Sequence, residues 1–406
     1  MFDILVFQVF RVYHEVCLFS LVFGITNNIF FLMNEIHFLF QYCRCSFFKN
    51  YETFHFLRFT LDGKLLFIVP MMITLLLFFS NNIFLFSKHL FILKFILILM
   101  TLKVSDIGEK ELVRYIISNS KDITPDDTAI TDFDNTNLIS TCDMLIQSRH
   151  FPKNMSYFDM GFKAVTVNVS DLAAMGAEPL GFLLAIALPK DLEIDSFKEI
   201  IDGVLKACDH YSIPLIGGDT NEASEIIITG TALGLTDKPM MKDTYQKGDL
   251  IAVTGDIGLA ALGFELETLD NVYVKHALKP EAKIKEGVIL KDYATSATDI
   301  TDGLASELYE IKRDGFGFMI YEGMLKVSDE YKQLASELNL DYLDLILHVG
   351  EDFELLFTIS RENLEKLPID CTVIGEVTDS DVVELTLENG YVERIKNKGY
   401  EHYVSE

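Results

Sequence analysis

No GxxxxGK[ST] loop and no GxGxxG run occurs in this 406-residue chain, which excludes phosphate binding through a single glycine-rich motif. Its six cysteines, at positions 17, 43, 45, 142, 208 and 371, form no CxxC pair and no zinc-like spacing, so they imply reduced thiols in a cytoplasm. Clustered Lys/Arg is missing too. With 34 basic against 61 acidic residues and a formal net charge of −27, the chain is not built for a nucleic-acid backbone. So acidic a body holds a polyphosphate only if divalent cations reverse the local field, which directs attention to its carboxylates.

The charge is unevenly spread. Residues 1–99 carry five Asp/Glu and seven Lys/Arg, a net of +2, which leaves −29 for the remainder. They also hold 21 of the 32 Phe, so the two parts obey different chemistry. Residues 65–87 are uncharged, mostly apolar and long enough to span a bilayer, and 16–34 form a weaker candidate. Against a span, Pro70, Asn81 and Asn82 interrupt the better run, no signal-peptide layout precedes it, and no helical or strand period runs through it. The segment reads as translated AT-rich upstream sequence or a dispensable apolar extension, with a membrane anchor as the alternative. Met100 is then the natural start of the body.

From residue 100 onward short apolar runs alternate with helical patterns, the signature of an α/β (α+β) enzyme. Phe197, Ile200, Ile201, Val204, Leu205 and Cys208 recur at helical spacing and predict an amphipathic helix over 195–211. Strands are expected over 182–188, 214–216, 226–233 and 250–254, and a helix over 161–177. Asn389-Gly390 suits a tight hairpin turn between strands 383–387 and 391–395. Lys247-Gly248-Asp249 precedes the strand that opens the second half, so the body divides into domains 100–243 and 244–406.

The acids of this body stand beside Gly, Ser or Thr at the ends of apolar segments or on helix faces. Asp126-Asp127, Asp143, Asp171, Asp219, Asp299 and Asp302 are hard oxygen donors from several segments, as Mg²⁺ bridging a polyphosphate requires. Singly, each has an ordinary explanation. Asp126-Asp127 follows a Pro and suits a surface turn. Asp143 projects from the end of the apolar run 137–139, where α/β proteins place ligands. Asp171 shares a helix face with Ala164 and Asn168, or caps the following turn. Gly217-Gly218-Asp219-Thr220 brings backbone N–H groups close to a phosphate, or makes a plain turn. Thr301 precedes the helical pattern 304–311 and could be its N-cap, Glu351-Asp352 stands before a strand, and His150 reads as structural or as a ligand.

Together and in this order these motifs resemble thiamine-monophosphate kinases, of the superfamily that also holds aminoimidazole ribonucleotide synthetase, selenophosphate synthetase and a hydrogenase-maturation dehydratase. The resemblance runs from about residue 104 to 403, and its most distinctive stretch is Gly-Phe-Lys-Ala-Val-Thr-Val-Asn-Val-Ser-Asp-Leu-Ala-Ala-Met-Gly-Ala at 161–177. It implies an N-terminal mixed-sheet ATP/metal domain that dimerises through its sheet and a C-terminal α/β domain that completes the substrate site. It also implies Mg²⁺ ions held around ATP by Asp127, Thr141, Cys142, Asp143, Asp171, Asp219, Asp299 and Asp302. Gly218, Asp219, Lys242 and Thr301 would contact the nucleotide, and His150, Glu351, Asp352 and Tyr400 thiamine monophosphate, with no general base assigned. Cys142, Lys242 and Ile201 depart from the family's usual Thr, Arg and Tyr. The rivals are a synthetase-like relative and a membrane-anchored nucleotide-binding protein without catalysis. No reactive Cys lies within 103–125 and none ends the chain, which removes the selenophosphate and dehydratase readings.

Overall fold

The computed structural model describes residues 104–397 apart from 107, 121–122, 124–125 and 267. The apolar extension at 1–99 and Tyr400 lie outside the described residues. The described residues cluster as one compact unit.

The first half begins with helix α1 (Glu109–Asn119), strands β1 (Ala129–Phe133) and β2 (Thr136–Ile146), and the short helix α2 (Gln147–His150). Next come α3 (Tyr157–Ala174), β3 (Glu178–Leu188), α4 (Ile194–His210), β4 (Leu215–Glu222) and β5 (Ile227–Thr236). The five strands form one mixed sheet in the order β1-β2-β5-β3-β4, antiparallel except for the β3–β4 pair.

The second half carries β6 (Leu250–Val253), α5 (Leu259–Glu265), α6 (Val272–Leu278), α7 (Ile284–Leu290), β7 (Ala294–Asp299), α8 (Leu304–Ile311) and β8 (Gly317–Tyr321). It ends with α9 (Asp329–Glu337), α10 (Tyr342–His348), β9 (Leu355–Ile359), α11 (Arg361–Leu364), β10 (Thr372–Thr378), β11 (Val383–Thr386) and β12 (Val392–Arg394). A seven-stranded mixed sheet, ordered β12-β11-β8-β10-β6-β9-β7, is the scaffold of this half.

Helix α3 organises the whole. Fourteen of its eighteen residues are buried, so it is a central helix rather than an amphipathic one. It packs on β2, β3 and β5 of the first sheet and on α7 and β7 of the second half. Its N-terminus is capped by Ser156, whose hydroxyl accepts from Asp159 N. It crosses α4 closely because Gly161 and Gly203 lie at the contact: a Cβ on Gly203 would stand 1.9 Å from the Phe158 carbonyl oxygen. One hydrophobic core runs from Val165, Phe182 and Ile228 into Leu355 and Phe357 of the second sheet. The polar side chains of α3 are therefore obliged to find partners inside this core.

Three local expectations change. The apolar run at 137–139 does not end before Asp143: β2 continues to Ile146, so Asp143 is mid-strand. Gly217-Gly218-Asp219-Thr220 is no turn but lies within the edge strand β4, and a Cβ on Gly218 would meet the Leu184 carbonyl oxygen at 1.8 Å, so this glycine permits the β3–β4 pairing. Asp171 caps nothing, since it lies inside α3. The helix expected over 195–211 is α4, although its Leu205 is exposed. The predicted hairpin is the β11–β12 pair.

Candidate active site

Alternation along β2 aims Ile139, Thr141, Asp143 and Leu145 at α3 and turns Ser140, Cys142 and Met144 to the outer face of the sheet. On α3, Asn168 and Asp171 meet this row. Asn168 donates to Ala164 O at 3.0 Å and accepts from Asp143 N at 3.1 Å, so its amide locks the strand to the helix. Thr141 donates its hydroxyl to Asp171 Oδ2, and the Asp143 carboxyl lies within hydrogen-bonding reach of Asp171. From the other half, Asp299 ends β7 and accepts from the buried Ser170 hydroxyl. Asp127 completes the group. Its Oδ1 takes Lys242 Nζ at 2.6 Å and Thr298 Oγ1 at 3.2 Å, while Oδ2 is buried with no partner among the described residues.

Four carboxylates from four segments thus share one desolvated space. Burial, then the charges of Asp143, Asp299 and Asp127, hold Asp171 well above the usual carboxylate range. Burial and Asp127 push Asp299 up to about 7. Asp127 rises to about 6 through burial, against the pull of Lys242. Among the described residues Lys242 alone supplies positive charge here, bridging Asp127 and Glu310 at 2.6 and 2.8 Å. An anionic cluster with one counter-cation and an orphaned buried oxygen suits further cations, and its all-oxygen donors suit a hard one. Among the described residues no three His, Cys, Asp or Glu side chains close on a single ion position.

The remaining expected residues fall into two groups. Asp302, raised to about 6 by burial and by Glu109 and Glu310, lies with Thr301 on the loop that leads into α8. The buried Glu307 accepts from Thr301 N and Oγ1 at 3.3 Å and from Asp302 N at 3.0 Å, so Thr301 is no N-cap; Gly303 holds that position. Glu351 ion-pairs with Lys163, whose ammonium also donates to His150 O at 2.9 Å, which brings Glu351 and the His150 backbone together. His150 Nδ1 accepts from Ile146 N at 2.8 Å.

Asp352, Cys142 and Asp219 stand apart. The Asp352 carboxylate is fully buried and accepts from Gly258 N at 2.6 Å and Ala260 N at 3.2 Å, at the start of α5; it is turned into the fold, away from any open surface. Cys142 has its exposed side chain on the sheet face opposite Thr141 and Asp143. Asp219 is exposed on β4, and the row Met144–Thr229–Ala185–Asp219 puts it three strands, about 14 Å, from the strand that bears Asp143. Sequence reasoning missed Lys163, Ser170, Glu307 and Glu310. The detectable signal was a set of polar residues inside an apolar helix text, which only burial of all its faces makes significant.

The chain and its fold have known counterparts. Residues 125–236 match the family described as AIR synthase related protein, N-terminal domain, and 246–388 match its C-terminal domain. The thiamine-monophosphate kinase of Pyrococcus horikoshii is 36% identical over 300 residues, covering 72% of this chain and 96% of that protein. That of Methanocaldococcus jannaschii is 35% identical over 289 residues, covering 65% and 88%. A solved structure described as AaThiL complexed with AMPPCP and TMP superposes with a TM-score of 0.69 at 29% identity, covering 75% of this chain and 99% of that one. The hydrogenase maturation protein HypE in complex with ATP shares the fold at a TM-score of 0.55 and 19% identity, covering 71% and 95%. The chain therefore belongs to the thiamine-monophosphate kinase family.

Proposed function

We propose that this protein transfers the γ-phosphoryl group of ATP to the phosphate of thiamine monophosphate, giving thiamine diphosphate and ADP. The observation that carries the reading is the group Asp127, Asp143, Asp171 and Asp299, buried or half-buried and assembled from both halves of a chain whose relatives bear this activity. Magnesium ions held by these carboxylates, with Thr141 and Asp302 beside them, would neutralise the triphosphate and the charge that builds up during transfer. The acceptor oxygen is already an anionic phosphate oxygen, so no residue of the chain is needed as a strong base.

The chain's own residues position the reactants. Lys242, fixed between Asp127 and Glu310, gives a point charge for a nucleotide phosphate. Glu307 holds the Thr301–Asp302 backbone in shape. Glu351 presents an anionic, partly exposed carboxylate to the cationic thiazolium ring of the acceptor. Domains 100–243 and 244–406 contribute to one site through α3.

A homodimer built on the first sheet belongs to this reading. The outer face of that sheet exposes Met144, Leu180, Leu183 and Ile216, an apolar surface that a second copy would cover. Asp219 on the edge strand β4 would then act near that interface. Among the described residues no helix is long and apolar enough to cross a membrane, and the reading is of a protein that works in the cytoplasm. The test is incubation of the full chain with ATP, Mg²⁺ and thiamine monophosphate, followed by chromatography of the thiamine esters. Thiamine diphosphate is expected; its absence, with ADP formed only on another superfamily substrate, would move the protein to the synthetase branch.

A further inference from the structure

Helix α3 carries one cation, Lys163, and its side chain is completely buried. A buried ammonium persists only where its charge is paired and its hydrogens are taken up. Here the ammonium donates to Glu351 and to the carbonyl oxygen of His150. One belongs to the loop before β9 and the other to the end of α2, so this ammonium ties the two halves of the chain together.

The Glu351 loop needs such a tie. Glu351 and Phe353 both hold left-handed backbone, with φ of 67° and 53°, a conformation that residues with a Cβ adopt at a cost. The loop is braced on its inner side by Glu351 N donating to Thr301 O at 2.8 Å and Phe353 N donating to Ile300 O at 3.0 Å. Lys163 holds it from the side of α3. The Glu351 side chain remains 27% exposed while Lys163 is at 0%, so the acid is both fixed and reachable from outside.

We infer that Lys163 is a positioning residue for the phosphate acceptor: its ammonium sets Glu351 and the His150 segment in one relative arrangement, and the acceptor subsite is complete only while this pair is closed. The inference rests on the reading that His150 and Glu351 face thiamine monophosphate. Lys163 itself is shielded from the acceptor, and it acts by geometry and by tempering the Glu351 charge.

The experiment uses steady-state kinetics and thermal melting on the full chain. Lys163→Met is expected to raise KM for thiamine monophosphate at least about tenfold, the size of an effect of roughly one charge-assisted hydrogen bond, and to leave KM for ATP within about twofold. Glu351→Gln strands the ammonium in the core, so it is expected to melt lower than Lys163→Met. If Lys163→Met does not fold, the double variant Lys163→Met/Glu351→Gln, from which both charges are gone, carries the same test. Its KM for thiamine monophosphate should exceed that of Glu351→Gln alone, because the His150 segment has also lost its tie, with KM for ATP held; a value equal to that of Glu351→Gln alone would overturn the inference. A parallel rise in both KM values, a fall in kcat alone, or an unchanged KM for thiamine monophosphate would overturn the inference. Failure of the unaltered protein to make thiamine diphosphate would instead overturn the reading beneath it.

Discussion

Asp299→Asn should make the metal-free protein more stable while abolishing phosphoryl transfer. Burial and the neighbouring Asp127 charge carry Asp299 from 3.8 up to about 7. Below about pH 4 the carboxyl is protonated in both folded and unfolded chains and costs nothing. Between about pH 4 and 7 the unfolded chain loses its proton first, so the folded state is progressively penalised, and above about pH 7 the penalty is complete. At about 1.4 kcal/mol per pH unit, it amounts to about 4 kcal/mol. An amide keeps the shape and still accepts from Ser170, but its own burial is not free, so about 2 kcal/mol should be recovered. For a body of this size that is a rise in Tm of about 5 °C. The assay is thermal melting in excess chelator at about pH 5 and pH 8, with and without magnesium chloride. The unaltered protein should gain more from Mg²⁺ at pH 8 than at pH 5, because only ionised carboxylates reward the cation. An Asn variant less stable than the parent in chelator at pH 8, or a magnesium effect equal at both pH values, would refute the reasoning.

Other substitutions separate structure from chemistry. Lys242→Met leaves the buried Asp127 without its counter-charge and should cost about 3 kcal/mol in chemical denaturation as well as raising KM for ATP. Asp352→Ala removes two backbone hydrogen bonds to a buried carboxylate and should cost about 3 kcal/mol of stability, with KM for thiamine monophosphate unchanged in the folded fraction; a selective rise in that KM would return Asp352 to the substrate. Asp219→Asn, on an exposed strand, should leave Tm within about 1 °C by calorimetry, since surface changes move stability little, while lowering kcat. Residues 100–406 expressed alone should retain the kcat of the full chain, and loss of activity would give the apolar extension a role.

Much of the site was legible because hard-oxygen chemistry leaves acids in characteristic company: Asp143 after Ser-Thr-Cys, Asp171 after Asn-Val-Ser, and Asp299 beside Thr. Helix α4 and the β11–β12 hairpin were legible from period and from Asn-Gly. The glycines of β4 were misleading, because Gly217-Gly218 serves strand pairing as readily as a turn, and only the 1.8 Å approach to Leu184 decides between them. Lys163 and Glu307 were invisible for a different reason. A Lys or Glu in a helix is normally a solvated face, and what makes these two significant is burial imposed by segments far away in sequence. Asp352 sits beside Glu351 in the chain, yet the left-handed turn of the loop sends one to the surface and the other to the start of α5.

The central claim is direct transfer between phosphates at a carboxylate-held cation site, and the most direct test follows the phosphorus itself. With ATP labelled at the γ-phosphorus, thiamine monophosphate and Mg²⁺, the account predicts label in the terminal phosphate of thiamine diphosphate, formed one for one with ADP and lost on chelation. Label released as inorganic phosphate, or thiamine diphosphate formed equally well in chelator, would contradict it.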